Sequence, residues 1–168
     1  MLRAKAPRIE SVRELLDYDP RAGVFRWRAK PNKRTNAGAT AGSISRSGHR
    51  RITIDGQRYQ AHQLAWFLVH GAWPGFKLDH ANGNPDDNRI ANLRRTTTAQ
   101  NMQNSRRFST NSSGLKGVSF CRQTNKWRAK IVVDGRSTHL GRFSTAERAH
   151  AAYVAAAIKY FGEFARAA

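Results

Sequence analysis

One carboxylate, one imidazole and two side-chain amides, Asp79, His80, Asn92 and Asn101, fall within a single run, LDHANGNPDDNRIANLRRTTTAQNMQN. This mixture suits hydrolysis of a phosphodiester. A hard divalent cation takes oxygen ligands, which a carboxylate and an amide carbonyl supply, and the attacking water needs a base that is neutral near pH 7, as imidazole is. Asn in the last position argues against a tight zinc site, which would prefer His or Cys there. Taken singly, an Asp-His pair is ordinary loop chemistry, and Asn88 and Asn92 read as turn residues. Their joint spacing is what points to a site.

The charge of the chain indicates the substrate class. Thirty Lys and Arg against eleven Asp and Glu give 168 residues a formal net charge of +19, the footprint of a polyanion-binding protein. Residues 59 to 101 are nearly neutral, with four basic and three acidic side chains, and lie between basic flanks. A cation site does not tolerate a crowd of ammonium groups, so neutral ground between DNA-gripping neighbours is where one belongs. No long amphipathic face or apolar span suggests a membrane. The lone Cys121 excludes an intramolecular disulfide and a cysteine zinc site, and a reducing cytoplasm is the expected setting. The N-terminus shows no signal peptide.

Several elements must position these residues. Ile9, Val12, Leu15 and Leu16 recur at helical spacing, and Asp19, Pro20 and Gly23 supply a stop and turn. Val24 to Trp27 reads as a strand, followed by loop composition to Gly48. Arg50 to Ile54 and Gln57 to Ala61 flank Asp55-Gly56, a type I′ hairpin signal. Leu64, Ala65, Phe67 and Leu68 mark a helix ending near Gly71. Phe76 to His80 is a short strand that delivers His80 to a turn, and Thr98 is the expected cap of a helix carrying Asn101 in its first turn. The pattern around the site is strand, loop, helix.

Residues 106–113 have linker composition. Beyond them, Gly117 to Cys121, Lys126 to Val133 and Ser137 to Phe143 read as three strands with turns at Thr124-Asn125 and Asp134-Gly135. Ser144 or Thr145 then caps an Ala-rich helix that runs to Gly162. Alternation puts Trp127, Ala129, Ile131 and Val133 on one face of the middle strand and Arg128, Lys130 and Val132 on the other.

The central run resembles the HNH endonuclease family in its phage-type homing and free-standing branch, over roughly residues 10–104 and most tightly from Tyr59 to Asn104. The resemblance implies that His80 is the general base, that Asp79 and Asn101 are metal ligands, and that Asn92 braces the loop and orients the base. It also implies Mg²⁺ or Mn²⁺ as the cofactor. His62, just before the apolar helix, would pack beneath the site or touch a phosphate. His49 and His70 have no evident partner.

Residues 114–164 resemble the APETALA2-type DNA-binding domain, through Gly117, Val118, Trp127, Ala129, Ile131, the HLGRF segment, Ala146, Glu147, Ala149 and Tyr153. That resemblance implies a three-stranded sheet in the DNA major groove with a helix behind it. Lys116, Arg122, Arg128, Lys130, Arg136 and His139 are then the expected DNA contacts. Ser119, Cys121 and Val132 stand where plant relatives read DNA with Arg, which implies a different target sequence.

The resulting expectation is an α+β chain. A ββα-metal nuclease domain over residues 1–105 is followed by a linker over 106–113 and, over 114–168, a small antiparallel sheet packed on one helix. Its activity would be metal-dependent hydrolysis of double-stranded DNA, with no obligate protein partner, in the cytoplasm of a bacterial host if phage-encoded. The rival readings are a non-catalytic DNA-binding regulator and a binder of structured RNA.

Overall fold

The computed structural model describes residues 6–30, 35–103 and 111–165. The chain divides into two compact units, residues 1–96 and 97–168. Most of the expected linker lies outside the described residues.

In the first unit, α1 (Ile9–Leu15) stops one residue earlier than the apolar spacing suggests. Leu16 opens β1 (Leu16–Asp19), which pairs antiparallel with β2 (Val24–Trp27), Leu16 opposite Trp27. The sequence reading had a turn here and no strand. Asp17 and Asp19 depress strand propensity, whereas the pairing itself is set by burial of Leu16, Phe25 and Trp27 in one core. Within the stretch read as loop, β3 (Ser43–Ile44) adds an edge to β4 (Arg50–Ile54), and Thr40 bridges to Arg26.

The β4–β5 hairpin, with β5 at Gln57–Gln60, turns through Asp55 and Gly56, both at positive φ as a type I′ turn requires. It leads directly into α2 (Ala61–His70), whose Ala61, Leu64, Ala65 and Phe67 face the core beside Ile52, Ile54 and Tyr59. Gly71 in the left-handed region closes the helix, donating its N–H to the Phe67 carbonyl at 2.9 Å. This core fixes the hairpin and the first turn of α2, and His49 and His62 stand at those two places.

Two strands carry the central run. β6 (Lys77–His80) pairs antiparallel with β7 (Leu93–Thr96), so Asp79 lies opposite Arg94 and His80 opposite Leu93. Strand β7 was not foreseen: its Arg94 and Arg95 obscure the apolar alternation that Leu93 and Thr96 supply.

In the second unit, α3 (Thr98–Gln103) is capped by Thr97 and not, as expected, by Thr98. The Thr97 hydroxyl accepts from Gln100 N–H at 3.2 Å while the Gln100 side chain accepts from Thr97 N–H at 2.8 Å, a reciprocal capping box. Strands β8 (Val118–Cys121), β9 (Lys126–Val133) and β10 (Arg136–Phe143) form an antiparallel sheet with β9 central. Helix α4 (Ala146–Phe161) is capped by the Thr145 hydroxyl, which accepts from Arg148 N–H. Ile131 is buried with Tyr153, Ala157, Phe161 and Phe164, and Ala129 with Val118 and Ala149.

The β1–β2 turn also braces the central run. Tyr18 donates its hydroxyl to the Asn88 carbonyl at 2.7 Å, and Ile90 N–H donates to the Pro20 carbonyl at 3.1 Å. Gly23, at φ +71°, lies so close to the backbone of Asn88 and Arg89 that an added Cβ would collide with it. Gly38 has nearly the same φ but open space around it. Gly23→Ala is expected to destabilise the first unit by at least about 2 kcal/mol and Gly38→Ala by about 1. Amide exchange at Ile52 and Leu64 under denaturant measures both; equal losses would show that the close approach contributes nothing.

Candidate active site and nucleic-acid interface

Strand β6 ends in two buried polar residues, Asp79 and His80, where a strand would ordinarily alternate. Each is covered from a different side. The Oδ2 of Asp79 accepts from Arg94 Nε at 3.1 Å and Nη2 at 3.0 Å, an ion pair across the ladder whose side chains are only 7% and 17% exposed. A buried carboxylate is tolerable only with such compensation. The His80 ring is covered by two other imidazoles, with ring centroids 5.1 Å away at His62 and 5.7 Å away at His49.

The loop after His80 is tied by side-chain amides. Asn92, itself buried, accepts through Oδ1 from Asn82 N–H at 3.0 Å. Its Nδ2 donates to Asn82 Oδ1 at 3.1 Å and to the Asp87 carbonyl at 2.8 Å. One side chain thus joins the start of the loop to its far end and satisfies backbone groups that no strand or helix pairs. Asn82 also donates to Asp87 Oδ2 at 2.6 Å, and Arg50 of β4 forks onto both oxygens of Asp86 at 2.8 and 2.9 Å. The Arg89 guanidinium, hydrogen-bonded to Asp87, pulls that carboxyl down to about 2, so the loop keeps its anionic anchor.

Burial is also the first cause of the low basicity of all three imidazoles. His62 is pushed down to about 3 by burial and then by its His80 and His49 neighbours. His80 is lowered by burial, against an upward pull from the nearby Asn88 side chain, with His49 lowering and Asp79 and Asp87 raising it. His49 is lowered by burial and by Arg51, against the effect of Ser47. His80 is therefore neutral at physiological pH, the state in which a ring nitrogen accepts a proton.

In the second unit the open face of the sheet is cationic. Arg128 lies opposite Arg142 and Lys130 opposite His139, and with Ser137 these exposed residues line an open groove of about 320 Å³. Arg142 reaches this face because the register shifts between His139 and Gly141, a β-bulge that turns the following residues over. Like charges directly opposite each other in a ladder are unfavourable on their own. An anion in the groove would relieve them.

Of the expected DNA contacts, Arg128, Lys130 and His139 share this groove. Arg122 is exposed in the β8–β9 turn, Lys116 is half-buried before β8, and exposed Arg136 pairs with Val133 on the opposite parity at the hairpin end. Asn101 is exposed on α3, in the second unit. Sequence reasoning missed four participants. Arg142 was concealed by the bulge, for which Gly141 within a strand was the signal. Arg94 was concealed by the missed strand, Asn88 was read as a turn residue, and His49 has no motif around it.

Residues 59–103 match the family model described as HNH endonuclease, so the segment from β5 through α3 carries the signature of that class. Among similar proteins, Protein 3.8 of Escherichia phage T7 is 33% identical over 76 residues, 45% of this chain and 63% of that protein. A protein of Acanthamoeba polyphaga mimivirus named as an uncharacterized HNH endonuclease is 30% identical over 124 residues, 73% of this chain and again 63% of the relative. The chain thus spans just under two thirds of either relative. APETALA2-like protein 2 of Oryza sativa subsp. indica is 45% identical over 51 residues, 30% of this chain and 12% of that protein. No helix among the described residues is long and apolar enough to cross a membrane.

The imidazole cluster makes the first unit acid-sensitive. Below the ordinary His value of 6.5, the unfolded chain takes up a proton that folded His62 refuses until about pH 3. Unfolding free energy therefore falls with pH across that window and is fully retained above it. Between pH 7.5 and 5.0 the loss assigned to His62 is about 1–2 kcal/mol. Urea titrations at the two pH values should show this loss in the wild type and a shallower one in His62→Gln; identical slopes would refute the assignment.

Proposed function

We propose that the chain is a metal-dependent DNA endonuclease of the HNH homing type, delivered to its target with help from the second unit. The observation that carries this reading is the placing of buried, neutral His80 beside Asp79 at a strand end whose loop is tied by Asn92, inside the segment that matches the HNH endonuclease family. His80 takes the proton of a water as its oxygen bonds to phosphorus and the P–O3′ bond breaks. The neighbouring imidazoles hold the ring, and Asn92 keeps the loop from moving away from it.

The donors fit a hard cation in kind: Asp79 brings anionic oxygen, oriented by Arg94, and the three low-basicity imidazoles add no competing positive charge. Asp79 and, on the strength of the motif, Asn101 would hold Mg²⁺ or Mn²⁺. Such an ion, when bound, stabilises charge on the phosphorane and on the departing oxygen. The cationic sheet face supports double-stranded DNA as the partner, with Arg128, Lys130, His139 and Arg142 in the groove and Lys116, Arg122 and Arg136 as further contacts outside it. That face alone would also serve a non-catalytic DNA-binding regulator, which nicks nothing in Mg²⁺.

In a supercoiled-plasmid nicking assay, cleavage is expected with Mg²⁺ and none with EDTA. His80→Ala should lower the rate by about two to four orders of magnitude with duplex affinity unchanged. Persistent metal-dependent nicking by His80→Ala would remove the base from His80.

The sheet face has its own test. Changing Arg128 and Lys130 together to Ala should weaken duplex binding at every sequence and reduce the salt slope of log affinity by about 1 per lost phosphate contact. An unchanged slope would move the DNA contacts elsewhere, and tighter binding of structured RNA at matched salt would change the substrate class.

A further inference from the structure

His49, His62 and His80 come from three separate elements: the turn before β4, the first turn of α2 and the end of β6. Their candidate ligand nitrogens nonetheless all lie within 4.8 Å of one another. Ordinary packing of three histidines does not require this. The rings lie tilted or edge-on to one another, with centroids 5.1 to 5.7 Å apart, and no two of them stack face to face. The Nδ1 of His62 is buried with no hydrogen-bond partner among the described residues, a cost that an interior nitrogen carries unless something binds there. Nitrogens coordinated at about 2.0–2.1 Å to a tetrahedral ion stand somewhat over 3 Å apart, which small rotamer changes reach from this geometry.

We propose that His49, His62 and His80 form a binding site for a borderline transition-metal ion such as Zn²⁺, distinct from any magnesium site, and that its occupancy switches hydrolysis off. The ligand type decides the metal. Three neutral imidazoles suit Zn²⁺ or Co²⁺ and are poor partners for Mg²⁺, which keeps water and oxygen ligands. The inhibition follows from shared use: a ring nitrogen of His80 committed to a metal cannot receive the proton of water. The inhibitory half rests on the proposed hydrolase function, whereas the site itself does not. Because the three ligands join the hairpin, α2 and β6, the ion also cross-links the unit and raises its melting temperature.

Cobalt provides a readout independent of activity. The untagged 168-residue chain titrated with Co²⁺ should develop the visible absorption of a tetrahedral or five-coordinate site at one equivalent, bleached by Zn²⁺. His49→Gln, a half-buried position chosen to preserve folding, should weaken Zn²⁺ binding at least about 100-fold, since even outer-shell changes cost ten- to a hundredfold. It should also abolish the Zn²⁺-dependent rise in melting temperature. His70→Gln, outside the cluster, should behave as the wild type. Absence of the cobalt band in the wild type, or its survival in folded His49→Gln, would overturn the site.

In plasmid nicking supported by Mg²⁺, one equivalent of Zn²⁺ should stop the wild type. Full activity with Zn²⁺ demonstrably bound would overturn the inhibition. A wild type that never nicks would instead overturn the hydrolase function, leaving the cobalt titration to decide the site.

Discussion

Burying an imidazole next to a carboxylate at the end of a two-stranded sheet is the constraint around which the first unit is organised. Neither group tolerates a dry environment alone, and two strands have too little surface to shelter both. Asp79 is compensated across the ladder by Arg94, and His80 is covered by its imidazole neighbours. Those imidazoles in turn depend on the hairpin and on α2, and the hairpin and α2 exist because Ile52, Ile54, Tyr59, Leu64 and Phe67 bury one another. The hydrophobic core therefore acts on the site through geometry: it holds His49 and His62 where they cover His80.

The loop illustrates how a segment with little apolar content holds a single shape. Residues 81–92 bury few side chains, so transfer free energy cannot order them. Asn82, Asn84, Asp86, Asp87, Asn88 and Asn92 instead satisfy each other and the backbone, and Arg50 and Tyr18 fasten the loop to two other hairpins. Each bond contributes about 1 kcal/mol net, but a buried amide left unpaired costs more than that, so the network tends to be kept whole. A loop ordered this way is stiff without being deeply buried.

What could be read from the sequence followed this same division. The Asp55-Gly56 and Asp134-Gly135 turns, α2, β9 and α4 were legible because local turn chemistry and apolar period agreed with the fold. Strands β1 and β7 were not, since Asp17, Asp19, Arg94 and Arg95 hide the alternation, and only pairing with β2 and β6 reveals it. Asp79 and His80 were visible as neighbours in a motif. Arg94, Asn88 and His49 reach them through strand pairing, loop closure and the hairpin, none of which has a signature in sequence spacing. Arg142 joins the cationic face only because one bulge residue, Leu140, reverses everything after it, which strand spacing does not show.

Charge is distributed unevenly along the chain by the same physics. The near-neutral central run lets a buried imidazole remain unprotonated, which a dense cationic field and burial together would enforce only at the cost of repelling a metal ion. On the β9–β10 face the opposite arrangement holds: Arg128 and Arg142 face each other in solvent, where their repulsion is weak and a phosphate backbone would turn it into attraction. A single surface could not serve both ends well. A cluster of cations dense enough to grip DNA would depress any metal affinity beside it, and a neutral pocket fit for proton transfer would have little long-range attraction for a polyanion. The neutral, buried polar cluster and the cationic face are accordingly carried on separate sheets.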